Sequence, residues 1–244
     1  TQTPDQGLRL GQTELLDTWH SLCGYSVHSV ERELARGFFT LRGGHRVGVA
    51  GIAHWTGETQ DGWRVVTSLN IRIARAVSAP LPGQTAALID APGSWMVMIG
   101  PPGSGKPTLL RQVAHALSEK GRRVAVVDER CELFPCTSRG FALPVPNHCD
   151  VLSDMPKAEG ILSAVRSLGP QDVLCDELGG VEDMAAVRQG LGCGVCFVAS
   201  IHGETKEDLQ LRCGALLGKG GFAHAVFLRG NQAPGQIAEV MALT

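Results

Sequence analysis

The sequence predicts an α/β fold with a parallel sheet, preceded by a small α+β domain, and two patterns carry this prediction. From residue 95 onward, short apolar runs alternate with segments whose apolar residues recur at helical spacing, as expected for strands joined by crossover helices. Before residue 80, glycine-rich turns separate the apolar runs, which is typical of antiparallel hairpins. Pro80, Pro82 and Gly83 lie between the patterns, so we expect domains 1–83 and 84–244.

In the first domain, the sequence predicts two helices and three strands. The helices are expected over 14–22 and 28–36, and the strands over 38–41, 46–54 and 63–69. Gly43 and Gly44 separate the first two strands, which is a hairpin signature.

In the second domain, the predicted order is helix 85–91, strand 95–99, a helix from 106 to Gly121, strand 124–127 and a loop-rich stretch. A helix around 161–168, strand 173–175, helix 182–191, strand 195–200, helix 205–217 and closing strands 225–228 and 237–241 follow. Four of these strands end in the polar clusters GPPGSGK, DER, DE and SIHG. Because ligands bind at the carboxyl ends of parallel strands, we expect the four clusters at one edge of the sheet.

The first cluster is a phosphate-binding loop of the form G-x-x-x-x-G-K. Its glycines allow successive N–H groups to turn toward an anion, and Lys106 adds a positive charge for the outer phosphates. The helix that follows directs its positive end to the same place. The predicted nucleotide contacts are Gly100, Pro101, Pro102, Gly103, Ser104, Gly105, Lys106, Pro107 and Thr108.

Pro107 departs from the pattern, which has Ser or Thr at this position. The missing hydroxyl would hold Mg²⁺, and proline also removes one N–H from the loop. Thr108 comes one residue late and is the candidate replacement as a metal ligand. Proline is well tolerated in the first turn of a helix, so the fold is not expected to suffer.

Asp176 and Glu177 follow an apolar strand and predict the second half of a nucleotide site. An acid at this place holds Mg²⁺ or its waters, and an adjacent acid activates the attacking water. We assign Asp176 to the metal side and Glu177 to the general base. The expected cofactors are therefore ATP and Mg²⁺.

Further polar residues are expected at the same edge of the sheet. Asp128, Glu129 and Glu132 are candidates for positioning metal or water, and His202 for sensing the γ-phosphate. An arginine from a neighbouring subunit can neutralise charge in the transition state. The candidates for this role are Arg130, Arg139 and Arg166.

Composition restricts the remaining alternatives. The net charge is −2 and aromatic residues make up only 5%, which disfavours a nucleic-acid translocase. The eight cysteines lack zinc-finger spacing, so reduced and mostly buried thiols are expected. No apolar run is long enough to span a bilayer and the start of the chain has no secretory pattern, so we expect a cytosolic protein.

Several motifs are more specific than a generic nucleotide site. They are GFFTLRGGHRVGVAG, SLNIRIAR, GPPGSGK, VVDER, DVLSDMPKAEGI, VRSLGPQDVLCDELGG and SIHG, and they run from about Gly24 to Gly203. In this order and spacing they resemble the stage III sporulation protein AA family, which is similar to the motor ATPases of type II and type IV secretion and pilus retraction.

The resemblance implies a RecA-like or AAA+-type P-loop NTPase core that hydrolyses ATP. It also implies a ring, expected to be a homohexamer, that docks from the mother-cell cytoplasm on a membrane-embedded channel between mother cell and forespore. By the same resemblance, the cluster Asp128 to Glu132, with Glu129 and Glu132, corresponds to the acidic box of secretion ATPases. His202 corresponds to their histidine box, and Arg166 to the arginine that precedes their Pro-Asp step. Because the family has Thr where this chain has Pro107, a nucleotide-binding scaffold with impaired hydrolysis is the alternative hypothesis.

Overall fold

The structure is a computed structural model that describes residues 11–34, 37–57, 59–74, 80–90, 95–137 and 140–243. The chain forms two compact units. The first contains residues 1–76 and 135–143, and the second contains residues 77–134 and 144–244. The domain boundary at residue 83 stays a prediction of the sequence.

The first unit is built on a three-stranded antiparallel sheet. Its elements are α1 (Gln12–Leu22), a 3-10 turn (Val27–Val30), α2 (Glu31–Leu34), β1 (Phe38–Thr40), β2 (Arg46–Thr56), β3 (Thr59–Arg72) and the short pair β6 (Cys136–Thr137) and β7 (Gly140–Phe141). The sheet order is β1-β2-β3. The rings of Trp19 and Phe39 meet edge to face at 5.8 Å in its core.

The predicted hairpin between β1 and β2 is confirmed. Gly43 and Gly44 have φ angles of 87° and 82°, a region that glycine adopts without strain. The helix predicted over 28–36 is divided between the 3-10 turn and α2, and residues 35 and 36 lie outside the described residues.

The second unit contains a seven-stranded sheet in the order β12-β11-β4-β10-β9-β5-β8. The strands are β4 (Met96–Gly100), β5 (Val124–Asp128), β8 (Cys149–Ser153), β9 (Asp172–Glu177), β10 (Cys196–His202), β11 (His224–Leu228) and β12 (Ile237–Ala242). Every neighbouring pair is parallel except β11 with β12. The predicted parallel sheet is therefore confirmed, and β4, β5, β9 and β10 end at the same edge.

Helices cover both faces of this sheet. They are α3 (Gly83–Asp90), α4 (Lys106–Glu119), α5 (Lys157–Ser163) with a π-helical turn (Ala164–Leu168), α6 (Val181–Gly192) and α7 (Lys206–Cys213) with a 3-10 turn (Gly214–Leu216). Alternate strand residues point to opposite faces. Val97 belongs to the apolar cluster that contains α5, α6 and α7, whereas Met98 belongs to the cluster that contains α3 and α4.

The structure differs from the prediction in the loop-rich stretch after β5. Residues Cys149–Ser153 form β8, which pairs in parallel with β5 at the edge of the sheet. An edge strand has partly exposed and polar residues, such as Asp150 here, so the stretch lacks the continuous apolar run by which buried strands are identified. No helix in the described part of the chain is long and apolar enough to cross a membrane.

Candidate functional site

The predicted phosphate loop connects β4 to α4. A Cβ on Gly100 would lie 2.5 Å from Oγ of Ser104, so glycine allows the loop to fold back on the end of the strand. Gly103 and Gly105 have φ angles of 76° and 93°. The N–H groups of Gly103, Gly105 and Lys106 donate to no backbone carbonyl in the turns and loops of the described residues. These N–H groups lie at the N-terminus of α4, where an anion is stabilised.

The connection between β11 and β12 packs against the phosphate loop. A Cβ on Gly105 would lie 2.6 Å from the backbone N of Gly235, and a Cβ on Gly103 would lie 3.2 Å from Cβ of Asn231. Oγ of Ser104 is buried and makes no hydrogen bond within the described residues. The loop therefore combines a backbone cradle with a buried hydroxyl that can bind a polar ligand.

Lys106 is the first residue of α4, and only 6% of its surface is exposed. Its Nζ donates to the carbonyl oxygens of Gly100 and Pro101, the latter at 3.2 Å. Burial lowers the pKa of Lys106, while the carboxylates of Glu177 and Glu132 favour its charged form. A desolvated ammonium attracts a phosphate more strongly than an exposed one, so its position suits the predicted contact with phosphates.

Pro107 lies in the first turn of α4 and offers neither a hydroxyl nor an N–H. Oγ1 of Thr108 accepts a hydrogen bond from Nη2 of Arg111 at 3.2 Å. Nη1 of Arg111 donates to the carbonyl oxygens of Glu132 and Leu133 at 3.0 and 3.1 Å. The role of Thr108 as a metal ligand stays a prediction, and its hydroxyl already contacts a cation.

Asp128 ends β5 and is fully buried. Its Oδ1 accepts a hydrogen bond from the N–H of Glu132 at 2.7 Å, and its Oδ2 accepts from the N–H groups of Leu133 and Phe134 at 2.9 and 2.8 Å. The sequence predicts a metal- or water-positioning role for Asp128, but both oxygens are engaged with the following loop. Asp128 therefore fixes the backbone that carries Glu132.

Asp176 and Glu177 end β9, the neighbour of β5 in the sheet. Asp176 is buried, and burial raises its pKa to about 6, although the charge of Lys157 opposes this shift. Glu177 is exposed, so its carboxylate can contact water, which a general base must reach. Nζ of Lys157 lies 2.8 Å from Oδ1 of Asp176 and 3.4 Å from Oε2 of Glu129, and it donates to the carbonyl oxygen of Glu177.

His202 ends β10 directly beside the phosphate loop. The parallel register pairs His202 with Gly100, the first residue of the loop. The structure thus brings this histidine next to the residues that are predicted to bind phosphate. Its sensing role stays a prediction.

The two candidate arginines among the described residues, Arg130 and Arg166, are both exposed. Arg166 is exposed in the π-helical turn, nine positions after Lys157 and therefore about 13 Å further along the helix axis. Arg130 is exposed and directly follows Glu129, and Arg139 lies outside the described residues. A role for any of them in a neighbouring subunit stays a prediction.

Sequence analysis did not assign a task to Lys157, Arg111 or the β11–β12 connection. The only signal for Lys157 was its place in the motif PKAEGI. Arg111 and the β11–β12 connection had no signal in the sequence, because their contacts join segments that are distant in the sequence.

The fold and the phosphate loop place the chain in the class of RecA-like P-loop proteins. The ATPase DotB from Legionella pneumophila aligns with a TM-score of 0.55 and 18% identity over 91% of this chain and 65% of that chain. The pilus retraction motor PilT, solved with bound ADP, aligns with a TM-score of 0.60 and 14% identity over 86% of this chain and 64% of that chain. At this identity the likeness establishes the fold alone, and it confirms the predicted fold class.

Within this class, the chain belongs to the family described as "Sporulation stage III, protein AA", which it matches over residues 3–242. Stage III sporulation protein AA of Bacillus subtilis is 39% identical over 207 residues, covering 78% of this chain and 64% of that protein. The protein SEEDLING PLASTID DEVELOPMENT 1 of Arabidopsis thaliana is 32% identical over 152 residues, covering 59% of this chain and 21% of that protein. The family that the sequence resembles is thus confirmed.

Proposed function

We propose that this chain binds ATP at the phosphate loop and hydrolyses it as a motor subunit. The observation that carries the proposal is the loop itself. The N–H groups of Gly103, Gly105 and Lys106 make no turn or loop hydrogen bond to backbone groups of the described residues, and the same loop carries the buried ammonium of Lys106. Free N–H donors at a helix N-terminus together with an ammonium suit the negative charge of a nucleotide's phosphates.

The polar side chains around the loop have distinct proposed roles in this reaction. Lys106 binds the outer phosphates, and the exposed Glu177 takes a proton from the attacking water. Glu129 and Glu132 help to position that water, and His202 contacts the terminal phosphate from the adjacent strand. Arg166 acts, in this proposal, on the nucleotide of a neighbouring subunit.

The residues present do not fit a magnesium ion in its usual P-loop coordination. Pro107 supplies no hydroxyl, and Oγ1 of Thr108 contacts Arg111. Asp176 is paired with Lys157. In the described part of the chain, no group of three or more His, Cys, Asp or Glu residues is arranged to hold a metal ion. We therefore assign no step of the reaction to Mg²⁺.

The cellular role that we propose follows from the family and the fold. The chain would assemble into a homohexameric ring and use ATP to power or gate a secretion-like channel during endospore formation. It would act in the mother-cell cytoplasm and reach the forespore-facing membrane through channel proteins. Membership of the sporulation family and the likeness to secretion motors support this role.

A second candidate is a nucleotide-binding scaffold that has lost turnover. Pro107 favours it, because the loop has lost both a hydroxyl and an N–H at one position. The presence of Lys106, Asp176, Glu177 and His202 at the site favours the motor.

Steady-state ATP hydrolysis by the whole chain, at concentrations that allow assembly, separates the two candidates. For a motor, Glu177→Gln is expected to lower the rate by about 100-fold or more, because a general base is removed. Glu182→Gln changes an exposed acid at the start of α6 and is the matched control. ATP binding with no hydrolysis above the Glu177→Gln level would contradict the motor and support the scaffold.

A further inference from the structure

Lys157 is a buried lysine to which the proposed reaction gives no task. Only 5% of its side chain is exposed, and it is the first residue of α5. The positive end of a helix and a buried environment both disfavour an ammonium group. A lysine is stable at such a place only when anionic groups surround it closely.

Two carboxylates and one carbonyl group surround this ammonium. Oδ1 of Asp176 lies at 2.8 Å, Oε2 of Glu129 lies at 3.4 Å, and the carbonyl oxygen of Glu177 accepts a hydrogen bond. The ammonium of Lys157 therefore lies between two carboxylates at the ends of β5 and β9.

The ammonium lies against Oδ1 of Asp176, a carboxylate oxygen of the kind that could otherwise bind a divalent cation. Mg²⁺ binds oxygen at about 2.1 Å, and an ammonium 2.8 Å from the same oxygen repels a second cation. The hydroxyl ligand that usually completes such a site is replaced by Pro107. The usual hydroxyl ligand is therefore missing, and the carboxylate of Asp176 is already paired with the ammonium of Lys157.

We propose that Lys157 is the built-in counter-ion of this site. Its ammonium takes the place of a divalent cation at Asp176, so that nucleotide binds without a divalent cation. This inference rests on the proposed nucleotide binding at the phosphate loop. It adds to that function that the ammonium of Lys157 balances the acidic residues beside the phosphates. Lys157 acts through Asp176 and the carbonyl of Glu177, and is a positioning residue.

A purely structural role for Lys157 predicts a different outcome. An ion pair that only fastens α5 to the sheet would affect stability, and it would leave the cation dependence of nucleotide binding unchanged. Lys120 offers a matched control, because it forms an exposed ion pair with Asp90 in the same unit.

The first test is binding of adenylyl imidodiphosphate to the whole chain by calorimetry, in Mg²⁺ and in EDTA. The wild-type chain and Lys120→Met are expected to bind with affinities within about threefold in the two buffers. Lys157→Met is expected to bind about tenfold or more weakly in EDTA, because a divalent cation must now replace the ammonium. Lys157→Arg keeps the charge and is expected to restore cation-independent binding. A wild-type affinity that falls about tenfold or more in EDTA overturns the inference.

The second test is titration with Mn²⁺ alone, followed by electron paramagnetic resonance. Lys157→Met is expected to bind Mn²⁺ through Asp176 and Glu129, and the wild-type chain is expected to bind none there. Equal Mn²⁺ binding by both chains overturns the inference. Because this titration needs no nucleotide, its result is independent of whether the proposed function holds. If Lys157→Met does not fold, the inference is tested by the affinities of the wild-type chain and Lys157→Arg in Mg²⁺ and in EDTA.

Discussion

The N–H of Gly235 donates a hydrogen bond to the carbonyl oxygen of Ser104 at 2.8 Å. This bond ties the β11–β12 connection to the phosphate loop, and the backbones are so close that a Cβ on Gly105 would collide with Gly235. The shape of the loop therefore depends on the C-terminal part of the chain as well as on its own glycines.

Gly105→Ala is expected to weaken nucleotide binding for this reason. The added Cβ would lie 2.6 Å from N of Gly235, and the φ of 93° is unfavourable for alanine. Gly121→Ala is the control, because Gly121 also has a positive φ, 71°, but no atom within 4 Å of its Cβ position. Both changes are expected to cost about 1–2 kcal/mol of stability, and only Gly105→Ala to weaken calorimetric nucleotide binding. Equal affinities for the two variants would contradict the account.

Pro107→Thr is expected to raise the rate of ATP hydrolysis about ten- to a hundredfold, because it restores a hydroxyl and an N–H to the loop. Pro107→Ala restores the N–H alone and separates the two contributions. The measurement is steady-state phosphate release with Mg²⁺ present. An unchanged rate in Pro107→Thr would show that this position is not what limits turnover.

Asp128→Ala is expected to lower the free energy of unfolding by about 3 kcal/mol, because three N–H groups lose a charged acceptor. Denaturant unfolding measures this change. Asp150→Ala removes an exposed aspartate from β8 and is expected to change it by less than about 0.5 kcal/mol. If Asp128→Ala were as stable as Asp150→Ala, Asp128 would not fix the loop.

Alkylation of the native chain near neutral pH is expected to modify Cys193 first. Cys193 is exposed, whereas burial raises the pKa of Cys23, Cys149 and Cys213 to about 11. A raised pKa leaves well under about one in a thousand of these thiols as reactive thiolate at this pH. Mass spectrometry of labelled peptides gives the order, and labelling of Cys149 before Cys193 would be inconsistent with the described burial.

The parallel sheet and its ligand-binding edge were predictable because the sequence carries them locally. Apolar runs such as residues 96–99 and 124–127 are followed at once by polar clusters, and strand direction then decides where these meet. His202 beside Gly100 follows from the same rule. The edge strand β8 was not predictable in this way, because its residues are partly exposed and polar.

The charge pairing within the site could not be predicted from the sequence. Lys157 contacts Asp176 and Glu129 only because α5 packs against the ends of β5 and β9. Likewise, Asp128 looks like a site residue in the sequence, but the loop that follows it uses both of its oxygens. Such contacts are set by tertiary packing, which residue spacing does not record.

The most direct test of the central claim is calorimetric binding of ATP to the wild-type chain and to Lys106→Ala, side by side. The account predicts that the wild-type chain binds ATP and that Lys106→Ala binds at least about tenfold more weakly, because the buried ammonium contacts the phosphates. Equal affinities, or no binding by the wild-type chain, would contradict the proposal that the phosphate loop is a nucleotide site.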